Sequence, residues 1–249
     1  PRIDSRPEGF CKTTTCNMIA DILAKAGYKI GLSTTVNFRV GDHEWINNTK
    51  MTVNPPFMMQ RLLRDMANAG CKYAVLEVSS QGLDQYRLWG IPFDAAIFTN
   101  LTPEHIEYHG GFERYKKAKG RLFGQLTNKS VSIINLDDEV AEYFLSFKAS
   151  EKWGYSVESS ISQFKTRMLS VRIVTAQALT LGSEGVQFRV SAPGGKNFNL
   201  QLRILGSFNI YNALASICFA LSQRINIDTI KESLGKFEGV PGRMEGIKL

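Results

Sequence analysis

The sequence is short of several things. It has no apolar run approaching the roughly 20 residues a helix needs to span a bilayer. Its opening, PRIDSRPEGF, has no signal-peptide hydrophobic segment. A cytosolic protein with no membrane partner is therefore expected. The four cysteines are Cys11, Cys16, Cys71 and Cys218. None stands in a C-x-x-C pair, so neither a zinc site nor a redox motif is indicated, and free thiols are expected. Histidine is scarce, with three residues in all. His105 and His109 are near each other, but no third partner is close enough in sequence to complete a transition-metal site. Internal repeats and low-complexity tracts are absent. No basic helix or basic–aromatic block stands out, although the net charge is +7. That charge invites an anionic partner. The scatter of its Lys and Arg favours a phosphorylated small molecule over nucleic acid.

What is present suits a folded α/β protein. The chain has 249 residues, 43% of them hydrophobic and 21% charged, enough for a real core and too apolar for wholesale disorder. TTTCNMIADILAKA (13–26) reads as a helix with Ile19, Ile22 and Leu23 on one face. YKIGLST follows as a buried strand, and alternation around Gly41-Asp42 predicts a hairpin. Pro55-Pro56 opens a helix that ends near Gly70. KYAVLEV, FDAAIFTN and SVSIINL are short apolar runs, with a helix from Phe112 to Leu126 before the last of them. Buried parallel strands between helices give a doubly wound, mostly parallel sheet. Past Trp153 the texture changes. Period-two alternation predicts an appended antiparallel meander at about 153–205, then helices at Phe208–Gln223 and Thr229–Lys236.

Three stretches could carry chemistry. In EGFCKTTT (8–15), Lys-Thr-Thr-Thr at a helix start is similar to the end of a phosphate loop, G-x-x-x-x-G-K-[ST]. A helix N-terminus offers free N–H groups and a positive dipole to phosphate. Here Cys11 replaces the last glycine, and Glu8 or Pro7 stands where an earlier one belongs. The preceding PRIDSRP is not an apolar strand, so an ordinary polar helix start stays open. In LEVSSQGLDQYR (76–87), Glu77 ends a buried strand, where open α/β sheets put their ligands. A carboxylate there suits Mg²⁺, or is a solvated strand end. Ser79, Gln85 and Arg87 form a polar patch able to grip an anion. In FTNLTPEHIEYHGGFERYKKAKGRLF (98–123), the strand ends at Asn100 in line with Glu77, and His105 and His109 follow in a loop. Lys119 shares a basic helix face with Lys116 and Lys117, and alone reads as solvated.

Taken together, EVSSQGLDQYR, FTNLTPEHIEYHG and YKKAKGRLF resemble the central domain of the Mur ligases, closest to the UDP-N-acetylmuramoyl-tripeptide synthetase (MurE-type) branch. KMTVNPPFMMQRLL resembles that family's T-T-P segment, and INLDDE, LGSFNIYNALAS and VPGRME follow in family order. The resemblance runs from about residue 12 to the end. It implies a phosphate-loop-like α/β fold and an ATP-dependent amide ligase of peptidoglycan synthesis. The peptide carboxylate of UDP-MurNAc-peptide is phosphorylated, and an amino acid then attacks the acyl phosphate. By resemblance, Lys12 and Thr13 would serve the ATP phosphates, Asn209 and Arg243 would lie near its adenine and ribose, and Thr14 and Asn100 would also bind the cofactor. Thr13, Glu77, His105 and Lys119, the last as a carbamate, would hold Mg²⁺, with Lys119 and Lys12 catalytic. Thr52, Ser79, Gln85 and Arg87 would hold the UDP-MurNAc-peptide.

Departures from the pattern are the lost loop glycines, Val53 and Asn54 in the T-T-P segment, and Gln81 where a histidine is usual. The family's N-terminal uridine-binding and C-terminal amino-acid-binding domains do not fit in the length. The expectation is a central domain, 1–249, monomeric and incomplete as a ligase. Competing readings are a non-catalytic pseudo-ligase and a folylpolyglutamate or cyanophycin synthetase-type ligase. EVSSQGLDQYR favours the muramyl branch.

Overall fold

The helix expected from Thr13 starts earlier. In the computed structural model, which describes residues 8–102, 106–157, 170–182 and 185–240, α1 spans Glu8–Lys25. With no glycine at Cys11 to bend the chain, the residues taken for a phosphate loop continue the helix. Gly27, at φ +86°, then turns the chain into β1.

β1 (Ile30–Ser33), β2 (Asn37–Val40) and β3 (His43–Ile46) follow, with β2 and β3 joined at the expected Gly41-Asp42 turn. α2 (Pro56–Asn68) carries Pro56 in its first turn, where the missing N–H costs nothing. It leads to β4 (Tyr73–Leu76), parallel to β1. The short α3 (Ser80–Asp84) precedes β5 (Ala95–Phe98). α4 (Ile106–His109) and α5 (Phe112–Gly124) cross to β6 (Val131–Asn135), parallel to β5. α6 (Ala141–Leu145) leads to β7 (Glu151–Ser156), also parallel. β8 (Val171–Gly182), β9 (Gly185–Ala192) and β10 (Lys196–Leu202) make the meander, and α7 (Phe208–Ser222) and α8 (Ile227–Lys236) close the fold.

The strands form two sheets rather than one, in the orders β3-β2-β1-β4 and β10-β9-β8-β7-β6-β5. The meander continues the second sheet: β8 lies parallel to β7, and in that sheet the described antiparallel pairs are β8–β9 and β9–β10. The boundary expected near Trp153 therefore moves to β8, because Glu151–Ser156 is a parallel strand.

β6 is buried at every position, and alternate residues feed opposite cores. Val131 and Ile133 join α1, α7 and α8 on one side. Ile134 joins α5 and α6 on the other. Helices thus cover both faces. β4 and β5 each end their own sheet, and both line one cavity of about 650 Å³ over which α1 contributes Lys12, Thr15, Cys16 and Ile19. No described helix is long and apolar enough to cross a membrane.

Candidate functional site

The C-terminal ends of β4 and β5 line one cavity with α1, and the charged side chains of Lys12, Glu77 and Lys119 all border it. Glu77 follows β4 and is buried, with 4% exposure. Its Oε2 accepts from Thr13 Oγ1 and from the Thr35 N–H, each at 2.8 Å. Two donors offset the cost of burying a carboxylate. Thr35 Oγ1 in turn lies 2.9 Å from Thr52 Oγ1. A continuous polar path therefore runs from α1 through Glu77 to the segment before α2.

On the opposite wall, Lys119 projects from α5. Its Nζ donates to the Asn100 carbonyl at 2.8 Å and stands 4.8 Å from the centre of the Tyr115 ring, one helical turn earlier. Asn100 is buried, and its Nδ2 has no hydrogen-bond partner among the described residues. An orphaned donor in a cavity wall is the kind of group a bound ligand satisfies.

Lys12, Glu77 and Lys119 line both the larger cavity and a second one of about 330 Å³. The second is also lined by Lys50, Thr52, Ser79, Ser80, Arg87 and Tyr115. Arg87 is fixed by donating to the Val53 carbonyl at 2.6 Å. The field of the site is felt at Cys16. Burial raises its thiol well above the usual value, Glu77 pushes the same way, and Lys12 opposes.

Of the residues expected from sequence, Lys12, Thr52, Glu77, Ser79, Arg87, Asn100 and Lys119 come together around these cavities, with Thr13 behind Glu77. Thr14 is buried in α1 outside both linings. Gln85 also falls outside them and donates to the Tyr108 hydroxyl at 3.0 Å. Asn209 serves α7, where its side chain donates to the Leu205 carbonyl and accepts from Asn212, and it lines neither cavity. His105 and Arg243 lie outside the described residues. Lys119, read as solvated when taken alone, is tied into the site.

The backbone half of the expected phosphate site differs. The free N–H groups of α1 belong to its first turn, Glu8 to Phe10, so those of Lys12 and Thr13 are used within the helix. His109 sits not in a loop but at the end of α4, buried. Sequence reasoning missed Thr35, Lys50, Ser80 and Tyr115. A signal existed for Tyr115, which stands four residues before Lys119 on the same helix face.

A family model described as the Mur ligase middle domain matches residues 11–220. The UDP-N-acetylmuramoyl-L-alanyl-D-glutamate–2,6-diaminopimelate ligase of Geobacillus kaustophilus (strain HTA426) is 34% identical over 242 residues, covering 95% of this chain and 47% of that protein. The UDP-N-acetylmuramyl-tripeptide synthetase of Roseiflexus sp. (strain RS-1) is also 34% identical, with the same coverage of each chain, 95% and 47%. The chain thus spans about half the length of the curated relatives it matches. A solved UDP-N-acetylmuramoyl-L-alanyl-D-glutamate–2,6-diaminopimelate ligase superposes with a TM-score of 0.77 at 28% identity, over 95% of this chain and 46% of that one. The MurC ligase of Thermotoga maritima, at TM-score 0.61 and 18% identity, covers 94% of this chain and 44% of that one, and shares the fold. With the family model matching well over half the chain, the protein belongs to the Mur ligase family through its middle domain.

Proposed function

We propose that this chain is the nucleotide-binding and carboxylate-activating centre of an ATP-dependent amide ligase of peptidoglycan precursor synthesis. The carboxylate is that of a UDP-MurNAc-peptide, and the nucleophile is the amine of an amino acid. A nucleotide-linked precursor of this kind places the work in the cytoplasm. The observation that carries the reading is that Lys12, Glu77 and Lys119 stand on the wall of both cavities. ATP in one and the peptide carboxylate in the other would share those three groups.

The chemistry needs two anions held against each other. A carboxylate oxygen attacks the γ-phosphorus of ATP, ADP leaves, and an acyl phosphate forms. The amine then attacks the acyl carbon, loses a proton, and expels phosphate to give the amide. Lys12 would lie along the transferring phosphoryl group and neutralise its charge. Arg87 and Thr52 would hold the peptide from the smaller cavity. Glu77 offers a buried carboxylate to a hard divalent cation. One buried carboxylate with a neighbouring Thr13 hydroxyl matches Mg²⁺, which takes most of its ligands from phosphate and water. His105 and a carbamate on Lys119 would complete that set. The ion supplies charge neutralisation at the phosphates.

A second reading, binding without turnover, rests on the helical course of α1 through Cys11, which ties up the Lys12 and Thr13 N–H groups. Trapping separates the two. The chain is incubated with Mg·ATP and UDP-MurNAc-L-alanyl-D-glutamate in hydroxylamine. Hydroxamate that requires both substrates supports activation. ATP binding with no hydroxamate supports the second reading.

A further inference from the structure

Two adjacent serines at the start of α3 have their hydroxyls committed in opposite senses. Ser79 caps the helix, and its Oγ accepts from the Gly82 N–H at 3.1 Å. Its own O–H remains available to donate. Ser80 Oγ lies 2.9 Å from His109 Nε2, while His109 Nδ1 lies 2.7 Å from Asp84 Oδ2. A carboxylate only accepts, so Nδ1 carries the hydrogen. With a single ring proton, held at Nδ1, Nε2 is an acceptor and the Ser80 O–H is drawn to it. Asp84 is braced in turn by Arg121, whose Nη1 is 2.8 Å from Oδ1.

The imidazole has no room to turn. Its side chain is 1% exposed. Its ring stacks on Tyr115, with centroids 5.2 Å apart and planes at 25°, and meets the Tyr108 edge at 4.9 Å. His109 therefore holds two wall residues of the smaller cavity, Ser80 by a hydrogen bond and Tyr115 by stacking. The Ser80 hydroxyl then offers a ligand only its oxygen lone pairs. The same wall carries Lys12, Lys50, Arg87 and Lys119, whose donors suit an anion. The chemistry that satisfies both is an amide N–H close to a carboxylate, as in an N-acylated amino acid.

The geometry points to Ser80 as a specificity-determining residue that accepts a hydrogen bond from the amide N–H of the ligand's terminal residue, with His109 and Asp84 as its positioning residues. This rests on the ligase reading for the identity of the ligand. The relay is geometrically that of a serine hydrolase, and it is used here to fix a hydroxyl's polarity rather than to make a nucleophile.

The test compares UDP-MurNAc-L-alanyl-D-glutamate with the depsipeptide in which the last amide N–H is an ester oxygen, by titration calorimetry. The wild type should prefer the amide by about tenfold or more, and Ser80→Ala should erase the preference. Equal binding of the two by the wild type, or a preference that survives in Ser80→Ala, overturns the assignment. If neither compound binds, the ligase reading fails by itself. N-acetyl-D-glutamate against its acetoxy analogue, titrated by NMR, then tests Ser80 alone by the same two criteria. Because Ser80→Ala leaves a buried ring nitrogen unpaired and could unfold, a second measurement uses the intact chain. Long-range ¹H–¹⁵N correlation should show His109 as the Nδ1–H tautomer, its signals assigned by their loss in His109→Gln. An Nε2–H tautomer or a doubly protonated ring overturns the proposal. So does labelling of Ser80 by a phosphonofluoridate, which would make it a nucleophile.

Discussion

Thr13 Oγ1 donates to Glu77 Oε2 at 2.8 Å and joins two residues 64 positions apart. One contact links α1 to the end of β4 and orients the carboxylate proposed to bind the cation. Thr13→Ala should weaken Mg²⁺-dependent nucleotide binding. It should also cost about 1.5–3 kcal/mol of stability, the usual worth of a hydrogen bond to a charged group, while Glu77 keeps the Thr35 N–H. Thr13→Ser should restore both. Urea unfolding and nucleotide titration on the same samples check this, and equal losses in Ala and Ser would point to packing instead.

The proposed metal site wants negative charge where Lys119 stands, and a carbamate would supply it. In ¹³C-bicarbonate the wild type should show a carbamate carbon resonance that Lys119→Arg lacks, since arginine does not form that adduct at neutral pH. The same variant should keep its far-ultraviolet dichroism. An identical spectrum for wild type and variant would remove Lys119 from the metal set.

Gly185 opens β9 at φ +127°, and a Cβ there would sit 1.8 Å from the Leu202 carbonyl oxygen. Backbone cannot yield as a flexible side chain can. Gly185→Ala should therefore destabilise by about 3 kcal/mol or more, strain and clash adding together. Thermal unfolding measures it. Gly194→Ala, with a similar positive φ and open space around it, should cost less.

Burial raises the Asp21 carboxyl from the usual 3.8 to about 6, with Arg39 opposing and Glu44 adding. Ionisation thus costs more in the folded chain than in the unfolded one. Stability should fall as pH rises from about 4 to about 6 and stay reduced above that, since the folded state holds the extra proton in that window. Asp21→Asn should stabilise the protein above pH 6 and make no difference below pH 4. Its side chain is 49% exposed, so solvent screening keeps the gain to about 1 kcal/mol or less. Parallel urea titrations at the two pH extremes check the sign.

The elements legible in sequence were those whose period is long or whose burial is complete. α2, α5 and α7 carry regular apolar spacing, and β6 is mostly apolar and buried throughout. β7 was not legible, because Glu151, Lys152 and Ser156 break its apolar pattern. It is a strand through tertiary packing of Trp153 and Tyr155. Gly154 leaves room for the Leu136 side chain, which a Cβ there would meet at 2.5 Å. α3 and α6, of five residues each, are too short to show a helical period.

The site divides the same way. Glu77 and Asn100 were readable as polar ends of apolar strands, a local pattern with a general meaning. Ser80, Asp84 and His109 gave no such signal, since their relation exists only once α3 and α4 pack. The lysine and threonines of α1 were readable, and their backbone was not. The chain at Glu8–Cys11 is helical because nothing there favours the alternative.

The most direct test of the central claim is titration calorimetry of ATP into this chain, with and without Mg²⁺, beside Glu77→Gln. The account predicts binding that strengthens at least about tenfold with Mg²⁺ in the wild type and not in the variant, the cation being held by one buried carboxylate. Binding that ignores Mg²⁺, or that is unchanged by Glu77→Gln, would contradict it.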